Sequence, residues 1–346
     1  MRVLVVNNMS PFLWGGAEEL AAHLVIQLNG TKGVSAELVR VPFRWEPPDR
    51  ILEEMFICKS LRLARVDRLI ALKFPAYLIP HEDKSLWLLH QYRQAYDLRG
   101  SHLTNLPPGP RGDEICGLIK ANDNACFRSC SRIFVNSAVT QQRLRSFNGF
   151  GSELLLPPVN DPERFQGADH GNYIFAGGRV NLAKRQHLLL EAMAHVRAPI
   201  TLIVGGPPDT LADRERLEGT VSRLGLSDRV QMDLGFLPRE KIAKYVSNAL
   251  ACAYLPIDED SPGYVTMEAF TAGKSVLTAS DSGGVLDIVK HGITGLVTAA
   301  EPVALASGID KLASNKRQTI ALGKEARSLW RKKNVTWPAT IQRLLS

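Results

Sequence analysis

Asp260-Ser261-Pro262-Gly263-Tyr264-Val265-Thr266-Met267-Glu268-Ala269-Phe270-Thr271-Ala272-Gly273-Lys274 decides how this chain reads. An apolar run at residues 249–255 precedes it and predicts a buried strand, and the acidic loop and Gly263 then lead into a helix. A helix that opens on glycine directly after a strand offers unpaired backbone N–H groups and the positive end of its dipole, which suits an anion. Asp260 and Glu268 bracket that opening, eight residues apart. A carboxylate beside an anion site is costly unless it serves another part of the ligand. Ionised carboxylates only accept hydrogen bonds, so sugar hydroxyls are the natural partners. The stretch therefore predicts a ligand that carries both phosphate and sugar.

Upstream in the same half lies Ala176-Gly177-Gly178-Arg179-Val180-Asn181-Leu182-Ala183-Lys184, again directly after a predicted strand. Arg179 and Lys184 are five apart on a loop entering a helix, so both can converge on one pair of phosphates, Arg by its planar fork and Lys as a compact charge. Predicted strands of this half fall at residues 172–176, 200–204, 230–234, 250–255, 275–278 and 295–297, with helical patterns between most of them. The first half gives strands at 2–6, 36–41, 68–72, 85–89 and 132–135. Such alternation predicts an α/β chain with mostly parallel sheets in two Rossmann-like domains and a ligand in the crevice between them. The polar stretch 160–171 reads as the linker. The expected division is 1–165, 166–325, and a helical segment 326–346.

At the end of the first predicted strand stands Asn8-Met9-Ser10-Pro11-Phe12-Leu13-Trp14-Gly15-Gly16-Ala17-Glu18, where Gly15 and Gly16 would let a ligand approach the backbone. The spacing is neither G-x-G-x-x-G nor G-x-x-x-x-G-K-[ST]. His90 ends another strand and can bond a sugar hydroxyl, bond a backbone oxygen, or carry a proton. Asn136-Ser137 ends a further strand and reads equally as a helix cap. Ser282-Gly283-Gly284-Val285-Leu286-Asp287 reads as a tight turn feeding a helix.

The 346 residues suit two domains, and 45% hydrophobic with 22% charged residues is the profile of a globular protein. No apolar run approaches the ~18 residues of a membrane span, and residues 1–8 read as a buried strand rather than a signal peptide. Cys58, Cys116, Cys126, Cys130 and Cys252 form no metal-site spacing and read as core thiols in a reducing compartment. The expected location is the cytoplasm, with peripheral contact at the inner face of an acidic membrane as a candidate. A net charge of +7 favours an anionic partner. Without basic blocks or aromatic–basic interleaving, nucleic acid is the weakest candidate. Lys59, Arg62, Arg65 and Arg68 recur at a helix-like spacing of three and suggest a basic face toward acidic lipid.

Together and in order, these motifs resemble glycosyltransferase family 4, retaining enzymes of the GT-B fold. The resemblance rests on Gly15-Gly16-Ala17-Glu18, Phe134-Val135-Asn136-Ser137, Leu156-Pro157-Pro158-Val159, Gly178-Arg179 with Lys184, the Asp260 to Glu268 pair, Gly283-Gly284, and Gly292-Ile293-Thr294-Gly295-Leu296-Val297. It implies that the helical segment 326–346 packs back on the first domain, and a nucleotide-diphosphate sugar donor, UDP- or GDP-linked, with no cofactor and no metal. Arg179 and Lys184 would neutralise the departing diphosphate. Glu268 would hold the ribose hydroxyls, and Asp260 the transferred sugar. Backbone groups of Gly263, Tyr264 and Val265 would bind phosphate and sugar, Gly178 would line the diphosphate loop, and Gly15 and Gly16 would approach from the other domain. His90 would stand near the reacting sugar, and Phe236 and Leu237 near the nucleobase. The implied acceptor is a hydroxyl of a glycan or lipid-linked substrate, in cell-surface polysaccharide biosynthesis, met by residues 91–99 and 101–112. Asp260 stands where the family usually has Glu, which motivates the alternative of a non-catalytic nucleotide-sugar or glycan binder, and the adjacent Glu259 could serve instead. A GT-B nucleotide-sugar epimerase is a third alternative.

Overall fold

The computed structural model describes residues 1–101 and 104–346. It divides into two compact units, Met1–Pro158 with Thr336–Ser346, and Val159–Val335.

The first unit holds β1 (Arg2–Met9), β2 (Ser35–Pro42), β3 (Arg68–Ala71), β4 (Lys84–Leu88), β5 (Arg132–Val135) and β6 (Glu153–Leu154). They form one parallel sheet in the order β2-β1-β3-β4-β5-β6. Successive side chains of a strand point to opposite faces. In β1, Leu4 and Val6 enter one apolar core, while Val3 and Val5 enter a second. A parallel sheet buried on both sides needs such continuous apolar strands. The second core is completed by Trp337, Ile341 and Leu344 of the terminal helix Trp337–Leu345. Burying side chains of this size contributes about 1.5–3 kcal/mol each. Arg343 fixes the helix further through the Leu154 carbonyl at 2.8 Å and the Glu153 carboxylate at 2.8 Å.

The first core encloses a polar cluster that the sequence does not announce. The helix Pro110–Ser129 carries Asp123, fully buried, whose carboxylate accepts from the hydroxyls of Tyr77 at 2.9 Å and Tyr96 at 2.7 Å. Burial pushes this carboxyl up to about 8 against the pull of the two hydroxyls. In the unfolded chain it titrates near the ordinary Asp value of about 3.9. Between these values the folded state keeps a proton that the unfolded state has released. The stability this group supplies is therefore complete at low pH and is lost as pH rises toward 8. The expected result is a melting temperature that falls between about pH 5 and 8 for the native chain and falls less for Asp123→Asn. Parallel pH profiles of the two proteins would sink this assignment. Near the cluster, Lys84 is also buried, donating to the Tyr77 carbonyl at 3.1 Å and facing the Cys126 sulfur at 3.5 Å.

The second unit holds β7 (Tyr173–Gly177), β8 (Thr201–Gly205), β9 (Val230–Asp233), β10 (Ala251–Ala253), β11 (Val276–Ala279) and β12 (Gly295–Thr298). All pairings are parallel, in the order β12-β11-β10-β7-β8-β9. Chain order reverses between β7 and β10, which is the doubly wound arrangement with its switch point there. Residues 159–165, which the expected boundary at 165 gives to the first domain, belong to this unit: Asn160 accepts through its carbonyl from Arg239 at 2.7 Å, and the Arg239 guanidinium lies over the Phe165 ring at 4.6 Å. The helix Lys316–Lys332 also stays with this unit, so only Thr336–Ser346 returns to the first.

Several sequence expectations shift locally. Ser137 caps the helix Ala138–Asn148 by accepting from the Thr140 N–H at 3.0 Å, the cap reading of that motif. Gly284–Asp287 is a single tight 3-10 turn rather than a helix start, because backbone bonds back to Gly283 and Val285 close it within four residues. The spacing of Lys59, Arg62, Arg65 and Arg68 is not helical throughout. The helix Arg50–Ser60 ends before Arg62, and Arg68 lies in β3, held by Asp83 at 2.8 Å.

Candidate functional site

The loops that leave β7 and β10 part at the switch point of the second sheet, and they carry most of the expected site residues. Gly178 and Val265 are close enough that a Cβ on Gly178 would stand 3.5 Å from the valine side chain. The helix Tyr264–Thr271 opens on Gly263, whose φ of 75° lies in the left-handed region. A Cβ there would meet the Tyr254 ring at 2.4 Å, so only glycine fits on both counts.

Lys184 is the centre of the arrangement. Asn181 caps the short turn before it, accepting from the Lys184 N–H at 2.9 Å. The ammonium donates to the Tyr254 hydroxyl at 3.0 Å and pairs with the Glu259 carboxylate. Burial works against its charge, but Tyr254 and Glu259 outweigh burial and hold the group above its ordinary range. Tyr254 is itself raised, chiefly by burial, and stays a neutral hydroxyl. Lys184 is thus a permanently charged, pre-positioned cation.

Arg179 is held differently. Its guanidinium donates to both Asp209 oxygens at 3.1 and 3.0 Å, and Asn181 shares that carboxylate at 2.8 Å. The loops are knitted by backbone bonds: Val180 N–H to the Pro207 carbonyl at 2.9 Å, Asp209 N–H to Val180 at 3.0 Å, and Ile257 N–H to Ala183 at 2.8 Å. Both cations therefore sit on a rigid frame, each facing a carboxylate.

The acidic loop follows the same logic. Glu268 is buried on the helix and pairs with Arg239. Asp260 is buried in the loop, and its carbonyl lies against Gly284. Glu259, the neighbour weighed as its substitute, is the residue whose carboxylate reaches Lys184, and its carbonyl accepts from the Gly284 N–H at 2.7 Å. Leu237 packs against the end of β8 near Gly205, while the Phe236 ring next to it is largely exposed.

Gly15, Gly16 and His90 lie in the first unit. Gly15 precedes the helix Gly16–Asn29, and its N–H is taken by the Glu18 carboxylate at 3.0 Å. His90 follows β4 and makes a 2.7 Å bond with the Gln91 carbonyl through Nδ1. A carbonyl only accepts, so Nδ1 carries the proton. The expected acceptor stretch 101–112 includes His102 and Leu103, which lie outside the described residues. Among the described residues, no group of three His, Cys, Asp or Glu side chains could hold a metal ion.

The most consequential residue missed in the sequence is Arg185. It takes a left-handed conformation, φ 57°, and is buried. It donates to the Leu255 and Pro256 carbonyls at 2.6 and 2.9 Å and grips Asp281 with two bonds of 2.7 and 2.8 Å. This brace ties the loops after β7, β10 and β11 together. Arg185 draws the Asp281 carboxyl below the ordinary range by hydrogen bonding. Beside Lys184 in sequence, Arg185 reads as one more surface cation, and nothing local distinguishes it.

Residues 160–329 match the family model described as Glycosyl transferases group 1. Among curated proteins, the chain is similar to D-inositol 3-phosphate glycosyltransferases. That of Nocardia farcinica is 30% identical over 50% of this chain and 42% of its own, and that of Streptomyces coelicolor 34% over 44% and 35%. The chain spans less than half the length of these relatives. Among solved structures, Anabaena HepE in complex with UDP and glucose superposes with a TM-score of 0.73 at 18% identity, covering 100% of this chain and 98% of HepE. WaaG, a glycosyltransferase involved in lipopolysaccharide biosynthesis, gives 0.72 at 16% identity over 99% and 98%. Over residues 160–329 the chain thus matches the Glycosyl transferases group 1 model, and it has the GT-B fold.

Proposed function

We propose that this protein is a retaining glycosyltransferase of family 4. It takes a nucleoside-diphosphate sugar, UDP-linked as in the HepE complexes or GDP-linked, and transfers the sugar to a hydroxyl of a glycan or lipid-linked acceptor in cell-surface polysaccharide biosynthesis. The observation that carries this reading is the pair of fixed cations, Arg179 and Lys184, at the switch point of the second sheet. Positive charge aimed at a departing diphosphate lowers the barrier to breaking the sugar–phosphate bond. The diphosphate oxygens take the places that the Asp209 and Glu259 carboxylates now occupy around the cations. The displaced Glu259, with Asp260, then accepts from hydroxyls of the transferred sugar. Glu268 receives the ribose hydroxyls, the N–H groups of Gly263, Tyr264 and Val265 with Gly178 frame the phosphates, and the base lies by Phe236 and Leu237. No metal is assigned a role, and the five unbridged cysteines suit a cytoplasmic location.

Glu259 competes with the donor for Lys184. Glu259→Gln is therefore expected to tighten binding of the free nucleoside diphosphate several-fold while slowing sugar transfer, because the amide no longer receives hydroxyl protons as strongly. Isothermal titration and initial rates check the pair of effects, and weaker diphosphate binding by the variant would contradict it.

The test of the function is incubation with UDP- and GDP-sugars, followed by NMR of the released or transferred sugar. Appearance of the α-anomer from an α-linked donor supports retention. An epimerised donor in the absence of acceptor favours the epimerase, and an untouched donor favours a pure binder.

A further inference from the structure

We propose that Cys126 and Lys84 form a peroxide-sensitive modification site inside the first unit, where oxidation joins the lysine nitrogen to the cysteine sulfur. This goes beyond the donor-site reading and uses none of its residues.

Lys84 opens β4 and is 1% exposed, and Cys126, near the end of the helix Pro110–Ser129, is 7% exposed. The Lys84 Nζ donates to the Tyr77 carbonyl at 3.1 Å and stands 3.5 Å from the Cys126 Sγ. The same carbonyl lies 3.1 Å from that sulfur. Burying an ammonium without an anion is costly. Among the described residues no carboxylate bonds Lys84, and Asp123, one turn before Cys126, is committed to the hydroxyls of Tyr77 and Tyr96. The anion within reach of the lysine is the Cys126 thiolate. One proton therefore has two places: on sulfur, facing the Tyr77 carbonyl, or on nitrogen, facing the thiolate. Hydrogen bonding by the Cys130 thiol, and then the Lys84 charge, hold the Cys126 thiol below its ordinary range against burial.

The thiolate is the form that peroxide oxidises. The Cys126 sulfur attacks one oxygen of hydrogen peroxide, the O–O bond breaks, and the leaving hydroxide takes up a proton to become water. Sulfur is left as a sulfenic acid. With its anion gone, the buried Lys84 ammonium gives up a proton, and the free amine attacks the sulfur. The N–S bond forms, the S–O bond breaks, and the hydroxyl leaves as a second water, the condensation by which a sulfenic acid becomes a sulfenamide. In sum, thiol, amine and one peroxide give a sulfenamide and two waters; sulfur loses two electrons and peroxide gains them. Cys130, which caps the helix, is the competing partner. Side chains four apart on a helix hold their Cβ atoms about 5–6 Å apart, beyond the roughly 3.5–4.5 Å of a disulfide, so the helix favours the lysine.

The test treats the full chain with a few equivalents of hydrogen peroxide, unfolds it, blocks the remaining thiols and maps its tryptic peptides by mass. The expected result is a pair of peptides joined through Lys84 and Cys126, two hydrogens lighter than their sum, uncleaved after Lys84, and separated again by dithiothreitol. Cys130→Ala is expected to keep the link. Lys84→Met is expected to lose it and to leave Cys126 as a sulfenic or sulfinic acid. A disulfide between Cys126 and Cys130 with normal cleavage after Lys84 overturns the proposal. So does a joined pair that retains an oxygen atom, or a Cys126 that is fully blocked after peroxide. These outcomes are read on the native chain, so the test stands even if Lys84→Met does not fold.

Discussion

Lys184→Ala is expected to lower donor turnover by about a thousandfold, the scale on which a pre-positioned charge stabilises a developing anion. Little loss of stability should accompany it. The ammonium is buried to 15% exposure, but its partner Glu259 is 28% exposed and can turn to water once the lysine is gone. Tyr254 keeps its contact with Gly263 regardless of the lysine. Initial rates with the best donor, beside thermal melts of both proteins, separate the two effects. Turnover within about tenfold of the native rate would remove Lys184 from the diphosphate site. A Lys184→Arg variant keeps the charge but not the shape, since a guanidinium cannot fit between Tyr254 and Glu259 as a point charge does. It is expected to recover only part of the activity.

Gly206→Ala is expected to destabilise the second unit by about 3–5 kcal/mol. Gly206 follows β8 with φ of 142°, a region that side chains other than hydrogen hardly enter. A Cβ at this position would stand 2.1 Å from the Gly178 carbonyl oxygen and 2.8 Å from its carbon. Both are backbone atoms and neither can rotate away. The displaced element would be the very loop that carries Arg179 and Lys184, so the variant should lose nucleotide binding together with stability. Urea unfolding, read beside nucleotide titration, checks both. An unchanged unfolding midpoint would mean that the two loops do not approach as described.

Much of the scaffold was legible because its signals are local. Strands buried on both faces read as continuous apolar runs, and those from β2 to β5 and from β7 to β12 were visible within a residue or two, while β1 runs three residues past its expected end. The Gly178 and Gly263 loops stood out because glycine before a helix has few other causes. β6 escaped as a strand, since two residues, Glu153 and Leu154, carry no periodicity. The site's scaffolding escaped for a different reason. Arg185 with Asp281, Arg179 with Asp209, and Glu268 with Arg239 join residues 96, 30 and 29 positions apart. Charge alone does not reveal such partners, and each residue taken singly reads as a solvated side chain. Tyr254 was hidden inside an apolar run, where it read as core rather than as the hydroxyl that orients Lys184. The run at Lys59 to Arg68 misled in the opposite direction, because a spacing of three persisted across a helix end, a loop and a strand.

The central claim is that the loops after β7 and β10 bind a nucleoside diphosphate through Lys184. The most direct measurement is a thermal-shift series of the native chain and Lys184→Ala against UDP, GDP, ADP and dTDP and their common sugar conjugates, without added metal. A ligand that binds only the folded state raises the melting temperature by mass action. The account predicts a clear, saturable rise for the native chain with one of the nucleotides and its sugar conjugate, and its near disappearance in the variant. A folded native sample that shifts with none of them, or a variant that shifts as fully as the native chain, would contradict it.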